Sequence, residues 1–260
     1  MLTEAERLSA AHSLIEAEKT AVQAPQVSVQ FPNVEIDDAY AISQTVARLR
    51  AEAGGVLIGH KVGLTSKAMQ ASSKIDEPDY GHVFQDMMIE DGASVNTADF
   101  CRPRVEPELT FIMNKSLRGP NVTLNDVLNA TEWVVPSIEI IDARVLEPRK
   151  IYDTVSDNGA AAGLILGKKR FRPDDIDLRW AGALFRRNGE IEETGIAAGV
   201  MDHPGNAVAW LCNKLASFDV GMQAGHLILS GSFTRPVFAS KGDELVADFG
   251  PLGSVSVTFA

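Results

Sequence analysis

The chain has little cysteine, no long apolar run and no cluster of basic residues. Its two cysteines, Cys101 and Cys212, lie far apart and have no CxxC or CxxH neighbour. This spacing argues against a disulfide framework and a cysteine-based zinc site. No apolar stretch approaches the roughly 18 residues that cross a bilayer, and the first residues are charged and amphipathic. We therefore expect a cytoplasmic protein with no membrane partner.

The charge balance is acidic. Lys and Arg number 24 against 35 Asp and Glu, which gives a formal net charge of −11. Nucleic acids are bound by clustered Lys and Arg, so this composition argues against them as partners. A small anionic substrate stays compatible, since a local site can oppose the global charge. Apolar residues make up 45% of the chain, enough for a globular core.

The order of sequence patterns predicts an α+β protein. Thr3 and Glu6 form a capping box for a first helix, and a second helix begins near Asp37. After residue 53 the pattern changes to short β-rich runs separated by glycine and proline, with one more helix predicted at 204–215. We therefore predict a helical N-terminal region (1–53) and a β-rich catalytic body (54–260) that act as one functional unit.

Two glutamates on one strand are the most informative feature. In RVEPELTFIM (104–113) the alternation of a strand places Glu106 and Glu108 on the same face. Carboxylates this close repel each other unless a cation or a proton lies between them. A second strand, 134–142, carries Glu139 in an apolar setting, where an unpaired acid is costly to bury. Pro107 inside the first strand predicts an edge or a bulge.

These three carboxylates predict a divalent metal site. Oxygen ligands from two strands, with no histidine or cysteine nearby, suit Mg²⁺ or Mn²⁺ and leave positions for water and a chelating substrate. The alternative is a solvated acidic strand face, which is common for an E-x-E pair alone. Glu139 favours the metal site, because a solvated face does not explain an acid in an apolar strand.

The segment GHKVGLTS (59–66) is a second candidate. Lys61 shares a strand face with glycines, so a substrate can approach it closely, and it can act as an acid or base or hold an anion. The amides of Leu64, Thr65 and Ser66, near a predicted helix start, could bind a carboxylate. The alternative is a snorkelling surface lysine beside an ordinary helix cap.

Two further segments give weaker signals. Asp79 lies in the acidic turn EPDYG, and Ser156 opens the run SDNG. Each residue is compatible with a turn or with a ligand-binding loop.

Eight segments together resemble the hydratase and decarboxylase branch of the fumarylacetoacetate hydrolase superfamily. The resemblance extends from about residue 35 to the carboxyl terminus and implies a mixed β roll with a helical N-terminal region. The segments are GHKVGLTSKAMQ, EPDYG, VEPELTFIM, LRGPNVTLNDV, SIEIIDAR, DTVSDN, IEETGIAAGV and GSFTRPV.

The resemblance also implies a function. It indicates a divalent-metal-dependent hydro-lyase that adds water to a small-molecule 2-oxo-enoate, with 2-oxo-hept-4-ene-1,7-dioate as the expected substrate, in aromatic meta-cleavage catabolism. It further implies a homo-oligomer, for which we expect a pentamer or a decamer. The implied residues are Glu106, Glu108 and Glu139 for Mg²⁺ (or Mn²⁺), Lys61 as acid or base with Asp79 as its partner, and Leu64, Thr65, Ser66 and Ser156 for positioning the substrate.

Three alternatives remain open. The same scaffold could hydrate 2-keto-4-pentenoate, decarboxylate 4-oxalocrotonate, or serve as a non-catalytic metal-binding structural protein. Selecting a dicarboxylate requires a second cation, and Lys67, Arg144 and Arg235 are the candidates that the sequence does not rank.

Overall fold

Three helices open the chain. The computed structural model describes residues 1–260, apart from the side chains of residues 72 and 73. The predicted capping box is present: Thr3 N donates to the Glu6 carboxylate (2.7 Å), and Glu6 N donates to Thr3 Oγ1 (3.3 Å). The helices are α1 (Glu4–Thr20), α2 (Val27–Gln30) and α3 (Ile36–Glu52).

Helix α2 is a four-residue helix between the two helices that the sequence predicted. It forms because Asp153 accepts hydrogen bonds from Ser28 N (2.7 Å) and Ser28 Oγ (2.8 Å) and is itself completely buried. Asp153 also accepts from Lys150 N (2.8 Å) at the start of a later helix. One buried carboxylate therefore joins the N-terminal region to the β-rich body.

Four more helices interrupt the strands. The predicted helix at 204–215 is confirmed, with Pro204 in its first turn. Two helices were not predicted from the sequence, although the first has a capping box between Thr123 and Asp126. The four are α4 (Lys67–Ser73), α5 (Leu124–Ala130), α6 (Ile151–Ser156) and α7 (Pro204–Ala216).

An eight-stranded mixed sheet forms the larger part of the body. Its strand order is β2-β1-β10-β5-β6-β7-β3, and β11 pairs with β5 beside β10. β10 is parallel to β1 and antiparallel to β5, whereas β5 and β6 form a long antiparallel pair. The bounds are β1 (Leu57–Gly63), β2 (Asp79–Phe84), β3 (Met88–Ile89), β5 (Pro103–Met113), β6 (Thr131–Asp142), β7 (Ala161–Leu166), β10 (Leu227–Leu229) and β11 (Val237–Phe238).

A five-stranded sheet completes the body, with the order β4-β13-β12-β8-β9. Asn188 and Gly189, both with positive φ, form the two-residue turn that connects β8 to β9, as an Asn-Gly pair favours. The bounds are β4 (Ser94–Val95), β8 (Gly182–Arg187), β9 (Glu190–Ile196), β12 (Glu244–Asp248) and β13 (Ser254–Phe259).

Pro107 was predicted to lie in an edge strand or a bulge. It lies instead in β5, a central strand of the larger sheet. It pairs in register with Ile138 of β6. On its other side β5 pairs with β10 only at 110–112 and with β11 only at 104–105, so Pro107 faces the gap between them. Ser232 Oγ donates to the Pro107 carbonyl across this gap (3.3 Å). The missing N–H of proline therefore removes no bond from a ladder.

The N-terminal helical region packs partly in a hydrophobic cluster of its own and partly against the β-rich body. Leu14 of α1 and Ile42 of α3 are buried in the first cluster, whereas Tyr40 of α3 stacks on Tyr80 of β2 with ring centroids 5.0 Å apart. That the two regions act as one functional unit stays a prediction. None of the helices in the described part of the chain is both long and apolar enough to cross a membrane.

Candidate active site

The three predicted glutamates meet on one face of the β5–β6 pair. Glu106 lies directly opposite Glu139 in the register, and Glu108 lies one same-face step further along β5. One carboxylate oxygen of each residue lies within 4.8 Å of the other two. Glu108 and Glu139 are almost completely buried, while Glu106 keeps partial exposure. The alternation of each strand thus predicted the faces correctly.

The oxygens of this cluster are incompletely hydrogen-bonded. Glu108 Oε2 accepts from Gly231 N (2.9 Å), but Glu108 Oε1 and Glu139 Oε1 are buried without a hydrogen-bond partner in the described structure. Buried carboxylate oxygens rarely lack partners. Three converging oxygens from glutamates fit a hard divalent cation, which would supply the missing interactions.

The electrostatics of the cluster agree with this geometry. Burial raises the pKa of Glu106 to about 7, and the neighbouring Glu139 adds to the shift. Burial and the adjacent glutamates also raise the pKa of Glu108 well above its usual range, and burial raises that of Glu139. Three adjacent carboxylates cannot all stay ionised in a buried site unless cations balance them.

Lys61 supplies one of these cations. Its Nζ lies 3.9 Å from Glu139 Oε1, and its side chain is 5% exposed. Burial lowers the pKa of Lys61, but the attraction of Glu139, Asp79 and the other glutamates outweighs burial, so the pKa is raised. Lys61 is thus a buried cation beside the carboxylates and not a snorkelling surface lysine.

Asp79 lies on the other side of Lys61. It is the register partner of Gly63 across the β1–β2 pair, and its Oδ1 is buried without a hydrogen-bond partner. A Cβ at Gly63 would overlap Asp79 Oδ1 and lie 3.0 Å from Lys61 Nζ, and one at Gly159 would lie 2.7 Å from Lys61 Cε. Both glycines therefore leave the space that these side chains occupy. Burial raises the pKa of Asp79, and Lys61 opposes this shift.

The segment that follows β1 forms the next wall. Leu64 has a positive φ of 54°, and Ser66 is the N-cap of α4, with its Oγ accepting from Met69 N (3.2 Å). Helix α4 thus begins at Lys67, two residues after Thr65, where the sequence predicted a helix start. Thr65 packs so closely on Gly231 that a Cβ there would overlap it. Leu64, Thr65 and Ser66 all line the cavity described next.

A cavity of about 230 Å³ connects these groups. Lys61, Asp79 and Glu106 reach its wall, and Arg104, Arg149 and Lys150 add positive charge that the sequence did not single out. The remaining walls are mostly apolar or small. They are formed by Val62, Gly63, Leu64, Thr65, Ser66, Met69, Ile141, Ile151, Thr154, Gly159, Ala160, Ser232, Thr234 and Pro236.

Arg104 and Arg149 were not identified from the sequence as site residues, for two different reasons. Arg104 lies two residues before Glu106, so the same alternation already placed its side chain on the glutamate face. Arg149 comes from an irregular segment before α6, where no periodic pattern indicates a direction. The two charges interact: burial lowers the pKa of Arg104, and Arg149 lowers it further.

Ser156 does not line this cavity. It is the last residue of α6 and is completely buried, with no hydrogen-bond partner for its Oγ. The run SDNG was predicted to be a turn or a ligand-binding loop, but its first residue, Ser156, ends a short helix that turns its side chain inwards. Its predicted contact with substrate stays untested, and the shape of the cavity does not support it.

The three cations proposed for a second carboxylate also lie elsewhere. Arg144 is buried in an ion pair with Asp157 (2.5 Å). Arg235 is largely exposed and pairs with Glu193 (2.6 Å), and the exposed Lys67 donates to Gln70 (3.1 Å). The lining of the cavity includes none of the three.

His60 lies on the opposite face of β1 from Lys61. It is completely buried, and its ring centroid lies 5.4 Å from that of His82 and 5.9 Å from that of His226. Burial lowers the pKa of His60 well below its usual value, and both neighbouring histidines add to the shift. The three rings form a neutral core cluster behind the site.

Comparison with known proteins gave strong matches, although no family model matches the chain. It is 54% identical over 256 residues to 2-oxo-hept-4-ene-1,7-dioate hydratase of Escherichia coli, with 96% of each chain covered. Among solved structures, 4-oxalocrotonate decarboxylase from Pseudomonas putida G7, complexed with magnesium and adipate, has a TM-score of 0.97 at 31% identity and covers 100% of this chain and 99% of its own.

A solved structure with much lower sequence identity to this chain shares the fold. Fumarylpyruvate hydrolase from Pseudomonas aeruginosa, in complex with Mn²⁺ and pyruvate, has a TM-score of 0.63 at 11% identity. The match covers 79% of this chain and 90% of that one. At this identity the likeness concerns the fold alone.

Proposed function

The chain belongs to the hydratase and decarboxylase branch of the fumarylacetoacetate hydrolase superfamily, and on that premise we propose that it hydrates 2-oxo-hept-4-ene-1,7-dioate to 4-hydroxy-2-oxoheptanedioate. The 54% identity to the hydratase of that name supports this substrate. The observation that carries the proposal is the position of Lys61 Nζ, 3.9 Å from a carboxylate of the three-glutamate cluster and at the wall of the cavity.

Glu106, Glu108 and Glu139 would hold Mg²⁺. The ion would act as a Lewis acid that polarises the 2-oxo group of the substrate and stabilises negative charge on its oxygen. Gly231 N fixes the orientation of Glu108 through its hydrogen bond to Oε2. The magnesium in the decarboxylase structure supports this choice of ion, and Mn²⁺, which also suits oxygen ligands, is the alternative.

Lys61 would move the protons of the reaction. We propose that the dienol form of the substrate first becomes a 2-oxo-3-enoate by losing the proton of its 2-hydroxyl group and accepting one at carbon 5, and that water then adds across the double bond, with its hydroxyl at carbon 4 and its proton at carbon 3. Lys61 Nζ is the proton-carrying group at the cavity wall, and Asp79 beside it keeps the lysine oriented. The amides of Leu64, Thr65 and Ser66 lie where they could hold the carboxylate next to the 2-oxo group.

The experiment is a hydration assay with and without metal. Purified protein treated with EDTA and then supplied with Mg²⁺ should consume the seven-carbon dienol diacid and release 4-hydroxy-2-oxoheptanedioate, detected by chromatography. Full activity without added metal would remove the metal from the mechanism. Mg²⁺ binding without turnover of any 2-oxo acid would instead support a non-catalytic metal-binding protein.

Decarboxylation of 4-oxalocrotonate is the second candidate. It is favoured by one observation, the TM-score of 0.97 to a 4-oxalocrotonate decarboxylase. Both reactions would use the same carboxylate cluster, so the site geometry does not separate them. Release of carbon dioxide from 4-oxalocrotonate, measured beside hydration of the seven-carbon diacid, distinguishes the two activities.

Two further expectations stay predictions. We propose that the protein is cytoplasmic and that it forms a homo-oligomer. Fractionation of the native host and light scattering of the purified protein test these proposals directly.

A further inference from the structure

Two arginines, Arg104 and Arg149, line the cavity. Arg104 follows the same face of β5 as Glu106 and Glu108, and successive same-face residues of a strand lie about 7 Å apart. Arg149 lines the same cavity from the segment that precedes α6. The lining of the cavity thus includes Glu106, Lys61 and two guanidinium groups.

Arg149 has hydrogen-bonding capacity that the described structure does not use. Its side chain is only 12% exposed, and its Nη1 is buried without a hydrogen-bond partner. The one acid paired with it, Glu147, lies 3.6 Å from Nη2, is 46% exposed and also pairs with Arg102 at 3.2 Å. A nearly buried guanidinium beside a cavity, with a free donor, is arranged to receive an anion.

Part of the lining of the cavity is apolar. Ile141, Ile151 and Pro236 line it, and Met69 adds a flexible apolar side chain. Such walls suit a hydrocarbon chain and offer nothing to a charged group in the middle of a ligand. The lining of the cavity therefore combines Glu106 and Lys61, an apolar surface and guanidinium groups.

We propose that Arg149, with Arg104 beside it, binds the distal carboxylate of a dicarboxylic 2-oxo acid and so makes the site selective for dicarboxylates. This proposal deepens the proposed function and rests on it. The planar guanidinium of Arg149 matches a carboxylate in a two-point contact. Arg104 adds positive charge on the same side, and its stacking near the Phe238 ring, at 5.6 Å from the ring centroid, limits its movement.

The test compares two substrates in three variants. We would measure kcat and KM with the seven-carbon dienol diacid and with 2-hydroxypenta-2,4-dienoate, which has one carboxylate. Arg149→Gln should lower kcat/KM for the diacid by about 10- to 100-fold, mainly through KM, as expected when a hydrogen bond to a charged group is lost. The monocarboxylate should change by less than about twofold, and Arg149→Lys should restore part of the preference.

Arg102→Gln is the matched control. Arg102 pairs with the same carboxylate of Glu147, yet it does not line the cavity. This variant should leave the preference for the diacid unchanged. An equal loss on both substrates in Arg149→Gln, or an equal shift in Arg102→Gln, would overturn the proposal.

A binding measurement separates this proposal from the proposed function. With Mg²⁺ present, calorimetry should show that the wild type binds adipate more tightly than hexanoate and that Arg149→Gln loses this difference. Equal binding of both acids by the wild type would overturn the dicarboxylate subsite. Absence of turnover on every 2-oxo acid would overturn the proposed function, and the adipate experiment would still decide the subsite.

Discussion

Lys61 Nζ lies 3.9 Å from Glu139 Oε1, although β1 and β6 are not neighbours in the sheet. Between them are β10 and β5, and β10 ends at Leu229, the register partner of Lys61. The lysine therefore extends over the end of a short strand to reach the carboxylates. One lysine and one divalent cation together would balance the three glutamates, which makes Lys61 part of the electrostatics of the metal site as well as a proton carrier.

Replacing Lys61 should separate these two roles. Lys61→Met removes the amine but keeps most of the side-chain volume, so hydration should fall by about 10²- to 10⁴-fold, the usual contribution of a positioned acid or base. Binding of Mg²⁺, measured by calorimetry, should persist because the three glutamates remain. Lys67→Met, at an exposed lysine nearby, should behave as the wild type. Hydration at the wild-type rate in Lys61→Met would contradict the role of the lysine.

Removing one glutamate should abolish metal binding. Glu139→Gln replaces a charged oxygen ligand with a neutral amide, and we expect the affinity for Mg²⁺ to fall by more than about 100-fold, since even groups that only orient a ligand contribute 10- to 100-fold. Glu132→Gln, on the same strand but outside the cluster, is the control. Unchanged calorimetric affinity in Glu139→Gln would show that the metal binds elsewhere.

Adding one methyl group at Gly63 of β1 should disturb the site. In Gly63→Ala the new Cβ would overlap Asp79 Oδ1 and lie 3.0 Å from Lys61 Nζ, so one of the two side chains must move. We expect kcat to fall by about 10-fold or more, because small displacements of catalytic groups are costly. Gly182→Ala, where the nearest atom would be 3.4 Å away, should keep its activity. Equal kcat values for both variants would contradict this account.

Arg144 should matter for stability and not for substrate choice. It forms a buried ion pair with Asp157 and also donates to the carbonyls of Ala161 (3.0 Å) and Asp157 (2.8 Å). Arg144→Met leaves Asp157 buried without its partner, so the free energy of unfolding should drop by about 3–5 kcal/mol. Arg118→Met, in an exposed pair with Asp219, should cost less than about 1 kcal/mol. Urea denaturation measures both, and similar values would contradict the prediction.

The histidine cluster should make the protein less stable at low pH. Burial lowers the pKa values of His60, His82 and His226 in the folded state. Below about pH 6.5 the unfolded chain therefore binds protons that the folded chain does not, and the free energy of unfolding decreases as the pH falls. His60→Phe should reduce this slope between pH 7 and 5 in thermal melts. Parallel curves for the variant and the wild type would contradict the prediction.

The sequence predicted local features better than their relations in space. Strand alternation placed Glu106, Glu108 and Glu139 on the correct faces, because side-chain direction follows from the backbone alone. The pairing of Glu106 with Glu139 depends on the register between β5 and β6, which is set by the whole connection between them and by α5. No periodic pattern contains that information.

Arg149 and Ser156 are two further residues whose positions in the structure could not be predicted from the sequence. The segment between β6 and α6 is irregular, so its sequence does not indicate that Arg149 turns towards the cavity while Arg144 pairs with Asp157. Ser156 begins a polar run typical of a loop, but it is the last residue of α6, a helix that Asp153 ties to the distant Ser28 through two hydrogen bonds. Tertiary contacts decided both outcomes.

The gap beside Pro107 has a consequence for how the substrate range of such a protein can be changed. Across this gap a loop, and not a strand, crosses β5: Gly231 N holds Glu108, while Ser232, Thr234 and Pro236 line the cavity. A loop can be exchanged without breaking a ladder of backbone hydrogen bonds. Residues 232–236 are therefore a natural target for engineering new specificities, with Gly231 retained so that the glutamate cluster stays in place.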